Sequence, residues 1–322
     1  MHILALQLKR IGDAILTAPA IAGLKAAHPG GRVTLVLAGA AGQLGPAFTG
    51  ADEVLVYRRN HPNPLLWGAV VLGRFDSCYD FTGTDRSALL ARLSGAPQRV
   101  GYAKFCEDGR WRPMAFTSLC MASVRDLHTV DFHRALAGCA AEETGFEASA
   151  DLSQFGLPET YAVVHPGTAR TEKYWFADRW AAAIRHLQDA RGLPVLVTGS
   201  LDAEEQAHLA SIRRAGARPF RDLSGQLDLL QLAALIARAR LVASVDSAAA
   251  HLAAMAEVPQ VVLFGPTNPF HWRPRHGRAL VLQADLDNPL VQICAPHAAG
   301  GSMGALSTEA LIRGMDAVLA RR

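Results

Sequence analysis

Short runs rich in apolar and β-branched residues alternate with segments of helical periodicity along the chain. Strands separated in this way by helices pair in parallel, and the crossover helices cover both faces of the sheet. Strands are expected at residues 2–7, 32–37, 53–57 and 77–81, and helices at 14–27, 86–93 and 130–144. Residues 103–126, rich in Arg, Trp and Cys, read as an irregular excursion. The pattern breaks across residues 147–160, where Gly156, Leu157, Pro158 and Glu159 mark a linker. It then restarts, with strands at 161–164, 194–198, 241–245 and 260–264. Helices are expected at 177–190, 203–215, 229–238, 247–255 and 308–319, the last capped by Ser307. A length of 322 residues suits about two domains. The expectation is therefore an α/β chain of two doubly wound domains, 1–152 and 153–322.

Composition narrows the class. Half of the residues are hydrophobic and 19% are charged, which excludes intrinsic disorder. A net charge of +3 gives no argument for nucleic acid. The uncharged stretch 33–51 contains four glycines and Pro46, so it does not read as a transmembrane segment. The basic pair Lys9-Arg10 follows a short apolar run, the wrong order for a secretory signal, and a cytoplasmic location is expected. Five cysteines without a C-x-x-C pair argue against disulfides. Cys294 and His297 form half of a tetrahedral metal set, so no metal is expected.

Ligands of doubly wound sheets bind outside the carboxyl ends of the strands, where helix N-termini point. Neither dinucleotide nor P-loop glycine fingerprints occur. Four junctions remain. The first, Lys9-Arg10-Ile11-Gly12-Asp13, offers a carboxylate that is either a helix N-cap or a general base, with two cations beside it. The second runs from His165 to Lys173 and places Thr168, backbone N–H groups and Lys173 where a phosphate would sit; Lys173 could equally pack over Tyr174 and Trp175. In the third, Asp246 and Ser247 can both cap a helix whose first N–H groups lack acceptors, and His251 lies on the face of Ser247. The fourth, Phe264 to Pro269, is turn chemistry without an assigned role.

Together these stretches resemble the ADP-heptose:lipopolysaccharide heptosyltransferases, glycosyltransferase family nine. LKRIGDAILTAP (residues 8–19) is similar to the family's Ile-Gly-Asp opening, and residues 79–102 to its mid-domain segment. Residues 164–175 are similar to its His-Pro-Gly loop with Lys-x-Trp, and residues 223–264 to its Ser-Gly, Asp-Ser and Phe-Gly-Pro-Thr series. The resemblance implies a GT-B architecture, two Rossmann-like domains facing a central cleft. Acceptor would bind the N-terminal domain and nucleotide sugar the C-terminal one, and the last helix is a candidate to pack back on the first domain. It implies an inverting, metal-independent transfer with no cofactor beyond the donor. Asp13 would be the base, while Thr168 and Lys173 hold the diphosphate. Asp246 would contact the donor sugar, and Ser247, Ala248 and Ala249 would offer backbone N–H groups, with His251 beside them. Glu204 would bond the ribose and Leu227 frame the base. Where the family reads Asp-Ser-Gly-Pro-x-His, this chain has Ala248 and Ala249, which keep their N–H groups in a helix.

Residues 86–112 carry six cations against Glu107 and Asp108, a +4 excess that reads either as an ordinary solvated basic face or as a surface for an anionic acceptor. Lys9, Arg10, Arg86 and Arg99 are the candidate acceptor contacts. The implied partners are a nucleotide sugar, ADP-heptose or another, and a lipid A–core acceptor reached by peripheral association with the inner face of the cytoplasmic membrane. A sugar-nucleotide epimerase and a non-catalytic nucleotide-sugar-binding module are the alternatives on the same scaffold.

Overall fold

A computed structural model describes all residues except 108–110, 140–143, 285–289, 292–294, 298 and 322. The chain divides into two compact units, Met1–Glu147 and Ala148–Arg322. In the first, β1 (His2–Gln7), β2 (Arg32–Ala38), β3 (Glu53–Tyr57), β4 (Ser77–Asp80), β5 (Gln98–Tyr102) and β6 (Ser118–Cys120) form one parallel sheet in the order β3-β2-β1-β4-β5-β6. Its helices are α1 (Ile11–Ala27), α2 (Pro64–Leu72), α3 (Asp85–Leu93) and α4 (Thr129–Ala137). β1 is buried from Ile3 to Gln7, as expected of a strand covered on both faces.

The second unit repeats the plan. Its strands are β7 (Ala162–His165), β8 (Val195–Val197), β9 (Arg221–Asp222), β10 (Leu241–Val245), β11 (Gln260–Phe264), β12 (Ala279–Gln283) and β13 (Leu290–Val291). They lie in the order β13-β12-β11-β10-β7-β8-β9, parallel except for β13. The helices are α5 (Ala177–Asp189), α6 (Ala203–Arg214), α7 (Leu229–Ala237), α8 (Ala248–Met255) and α9 (Thr308–Ala320). In each unit the chain winds outward from a central strand and then restarts beside it. The reversal lies between β1 and β4 in the first sheet and between β7 and β10 in the second. At such a point two adjacent loops diverge and leave a crevice at the carboxyl ends of the strands.

Several elements differ from the sequence expectation. Helix α1 starts at Ile11, so Arg10 is its N-cap and Asp13 lies in the first turn instead of capping it. Helix α4 ends at Ala137, where Gly138 takes a left-handed φ of +64°, instead of running to residue 144. The excursion conceals β6, and α2, β5 and β12 were not anticipated. Ser307 caps α9 through a bond from the Ala310 N–H, as expected. The apolar face of α9, Leu311, Met315 and Val318, is buried in the core of the second unit.

That core is anchored by Trp175 and Trp180, whose rings meet edge to face at 5.1 Å. The Trp175 indole N–H donates to the Leu306 carbonyl at 3.0 Å, tying α5 to the start of α9. Trp180 is fully buried, so Trp180→Ala removes a large side chain from a site with no solvent to fill it. It is expected to cost about 3–5 kcal/mol of unfolding free energy in urea titrations.

Candidate active site

The switch point of the first unit is held by side chains that pair across β1 and α1. Gln7, fully buried at the end of β1, donates to Thr17 Oγ1 at 2.7 Å and accepts from the Lys9 N–H at 3.2 Å. Thr17 in turn donates to the Asp13 carbonyl at 2.8 Å. This chain of bonds fixes the Lys9–Asp13 loop to the strand that precedes it. On the neighbouring strand, the buried Asp80 accepts from the Thr82 and Gly83 N–H groups at 2.8 and 3.2 Å and from the Ser87 hydroxyl at 2.8 Å. Thr82 Oγ1 accepts from the Leu8 N–H at 2.8 Å, which joins the two loops.

Leu8, Lys9, Arg10, Asp13 and Arg59 line an open pocket of about 470 Å³. Asp13 therefore reaches solvent from the first turn of a helix, where the dipole favours its charge. The Lys9 ammonium sits 4.5 Å from the Phe105 ring centroid. Burial lowers its proton affinity, against the opposing pull of Asp13 and Asp80. Burial pushes the Asp80 carboxyl up to about 6, despite its hydrogen bonds and the nearby Lys9.

In the second unit the loop after β7 and the loop after β10 meet through one ion pair. Lys173 Nζ lies 2.5 Å from Asp246 Oδ2 and 3.3 Å from the Asp246 carbonyl, and both residues are nearly buried. Ser247 is the N-cap of α8, but its side chain caps nothing, and its buried hydroxyl has no partner among the described residues. The first N–H groups of α8 lack intrahelical acceptors, and the helix dipole adds positive potential there. Ala249 is fully buried, while Ala248 is partly exposed. Thr168 lies partly exposed on the same β7 loop, and His251 is buried one turn into α8.

The two remaining expected donor contacts, Glu204 and Leu227, lie at the start of α6 and just before α7. Glu204 is exposed in the first turn of α6. Its neighbour Glu205 turns inward and accepts from the Ser200 N–H at 2.6 Å. The Glu205 carboxylate packs against Gly167, where an added Cβ would lie 2.7 Å from it. Leu227 is half-buried, just before the capping box of Asp228 on α7.

Among the expected acceptor contacts, Arg99 is the one that the structure redirects. Arg99 lies near the amino end of β5, and its guanidinium donates to the Ala115 and Ala96 carbonyls at 2.7 and 2.5 Å. It braces the far end of the sheet and does not face the pocket residues. Arg112 is committed to Asp85 and the Phe105 carbonyl, and Lys104 to Glu107. Asp108 and Arg110 lie outside the described residues, as does Cys294 of the expected half metal set. Of the acceptor candidates, Lys9 and Arg10 line the pocket and Arg86 is exposed on the first turn of α3. Arg59 also lines the pocket, a contact the sequence reading did not single out. Among the described residues no three His, Cys, Asp or Glu side chains converge as a metal site.

Residues 66–292, more than half of the chain, match the profile of glycosyltransferase family 9 (heptosyltransferase). The chain belongs to this family. It is a glycosyltransferase, and the epimerase and pure binding-module readings give way to that membership. It is 25% identical over 296 residues to lipopolysaccharide heptosyltransferase 3 of Escherichia coli K12, spanning 82% of each sequence. The solved glycosyltransferase family 9 structure from Veillonella parvula superposes with a TM-score of 0.82 at 22% identity, over 100% of this chain and 98% of that one. The structure of the E. coli heptosyltransferase WaaC with ADP gives 0.75 at 21% identity, over 98% and 97%. The GT-B fold of those structures is the fold of this family member.

The raised Asp80 carboxyl has a pH signature. Between about pH 4, the range of an unfolded Asp, and pH 6 the folded chain holds a proton that the unfolded chain releases. Stability from this group is therefore present below pH 4 and lost as pH rises through 6. Asp80→Asn cannot ionise. Its unfolding free energy relative to wild type is expected to climb between pH 4 and 7 in paired urea titrations; a flat difference would contradict the assignment.

Proposed function

We propose that this family 9 transferase moves a heptose from an ADP-linked donor to an inner-core sugar of lipopolysaccharide, at the inner face of the cytoplasmic membrane. The observation that carries the reading is the Lys173–Asp246 pair beside the uncapped start of α8. An ammonium has three donors. Asp246 occupies two directions, and the third remains for a phosphate oxygen next to the α8 N–H groups. The relatives' names supply the chemistry of the ligands: lipopolysaccharide heptosyltransferase for one, bound ADP for another.

As an acceptor hydroxyl attacks the anomeric carbon, Asp13 takes its proton and the carbon–oxygen bond to the diphosphate breaks. The electron pair leaves on ADP, and the new bond forms on the opposite face, inverting the centre. Negative charge grows on the bridging and terminal phosphate oxygens in the transition state. Lys173 and the α8 dipole are fixed before that charge appears, so they stabilise the transition state more than the ground state. Thr168 from the β7 loop and the backbone of Ser247, Ala248 and Ala249 complete the diphosphate cradle. Glu204 would meet the ribose and the backbone near Leu227 would frame the base. Lys9, Arg10 and Arg59 give the acceptor pocket a positive wall suited to the acidic sugars and phosphates of the inner core. No described helix is long and apolar enough to cross a membrane, so contact with the acceptor's bilayer would be peripheral.

Removing the base should cut turnover more than binding. Asp13→Asn is expected to lower kcat about 10²–10⁴-fold with an unchanged ADP-dependent rise in melting temperature. Lys173→Ala is expected to diminish both. Coupled ADP-release assays with a core oligosaccharide acceptor, run beside thermal shifts with ADP-, GDP- and UDP-sugars, check this. Near-normal turnover of Asp13→Asn would remove it from the role of base.

A further inference from the structure

The nine residues of α2, Pro-Leu-Leu-Trp-Gly-Ala-Val-Val-Leu, contain no polar side chain except the indole N–H. A helix apolar all round is normally buried all round. This one is not. Leu66 and Val70 enter the core of the first unit, whereas Leu65 is 88%, Leu72 77% and Val71 52% exposed. Leu65, Ala69 and Leu72 follow i, i+4, i+7 spacing and form the outward face. The neighbouring helix α3 adds Leu89 and Leu93, also exposed.

The approach to α2 is rigid. Asn60 and Asn63 take left-handed backbone angles, and the Asn63 side chain binds the Arg58 N–H, the Arg58 carbonyl and the His61 carbonyl. In sequence the helix is flanked by cations, and the first acidic residue beyond them, Asp76, is engaged by the His2 N–H and lies 3.9 Å from the N-terminal ammonium. Residues 58–75 contain Arg58, Arg59 and Arg74 and no Asp or Glu. The three arginines are exposed or line the pocket, and none forms an ion pair among the described residues.

We propose that α2 is the face on which this protein rests on an anionic lipid bilayer. Apolar side chains flanked by cations match an interface of acyl chains beneath anionic headgroups. A second copy of this chain is the poorer occupant, because an isologous contact would bring the arginines against their own copies. The same short loop that starts α2 also supplies Arg59 to the wall of the Asp13 pocket. A lipid-borne acceptor held at α2 is thereby delivered next to the pocket. This inference rests on the lipopolysaccharide reading above, and names the surface through which the acceptor's membrane is met.

The test uses the full chain in co-sedimentation with vesicles of equal parts phosphatidylglycerol and phosphatidylcholine, and with phosphatidylcholine alone. Binding to the mixed vesicles and weak binding to the neutral ones is expected. Leu65→Glu with Leu72→Glu, both on the exposed face, should lower binding about tenfold or more while melting temperature is kept. Arg74→Asn, which tolerates the left-handed backbone found there, should lower it about fivefold. In the double variant, turnover of a deacylated core oligosaccharide should persist while turnover of the same core on vesicle-embedded lipid falls. Failure of the wild type to bind mixed vesicles, or equal binding by the double variant, overturns the proposal. So does a wild-type dimer that the double variant splits and that does not bind vesicles. Failure of the functional reading looks different: wild type that binds vesicles but turns over neither acceptor.

Discussion

A lysine ammonium and a carboxylate 2.5 Å apart, both nearly out of water, are the interaction around which the loops of the second unit are organised. Such a pair contributes little net stability, because removing two charges from water offsets their attraction. Its effect is positional. Lys173 arrives on the β7 loop and Asp246 on the β10 loop, so the bond closes the crevice at the reversal of the second sheet. A free lysine would sample many rotamers and approach a diphosphate from many directions. Held by Asp246, it offers one direction, beside the dipole of α8.

The first unit solves the matching problem with neutral groups. Gln7, Thr17 and the Asp13 backbone form a bonded chain that fixes the loop without spending the charge of Asp13. Asp80, by contrast, is sealed under the loop and holds three donors. The unit thus contains two carboxylates with divided tasks. One is open to the pocket, in the proposed role of base, and the other is a fastening for the switch point.

Much of this was legible in the chain because parallel α/β sheets announce themselves by alternation, and because their loops must carry the chemistry. The junctions containing Asp13, Lys173 and Asp246 follow apolar strands that could be read directly. What remained hidden depended on direction or on distant pairing. Charge counting cannot tell which end of β5 carries Arg99, and the far end uses it as a brace. One residue along a helix is a rotation of about 100°. Glu204 therefore faces solvent while the adjacent Glu205 turns half-buried to the Ser200 N–H, a difference that composition does not carry. Gln7 and Thr17 are ordinary residues until β1 and α1 lie side by side. Helix α2 has apolar residues at every phase, so its period leaves no trace in the sequence.

The clamp that Asn63 places on residues 58–63 also acts as a ruler. Six residue steps separate Arg59 from Leu65, a span of at most about 20 Å even if fully extended. With Leu65 seated among acyl chains as proposed, the Arg59 backbone would stand no farther than that from the Leu65 backbone. Only the sugars nearest the lipid come within range, and a polysaccharide already extended would carry its growing tip past the enzyme.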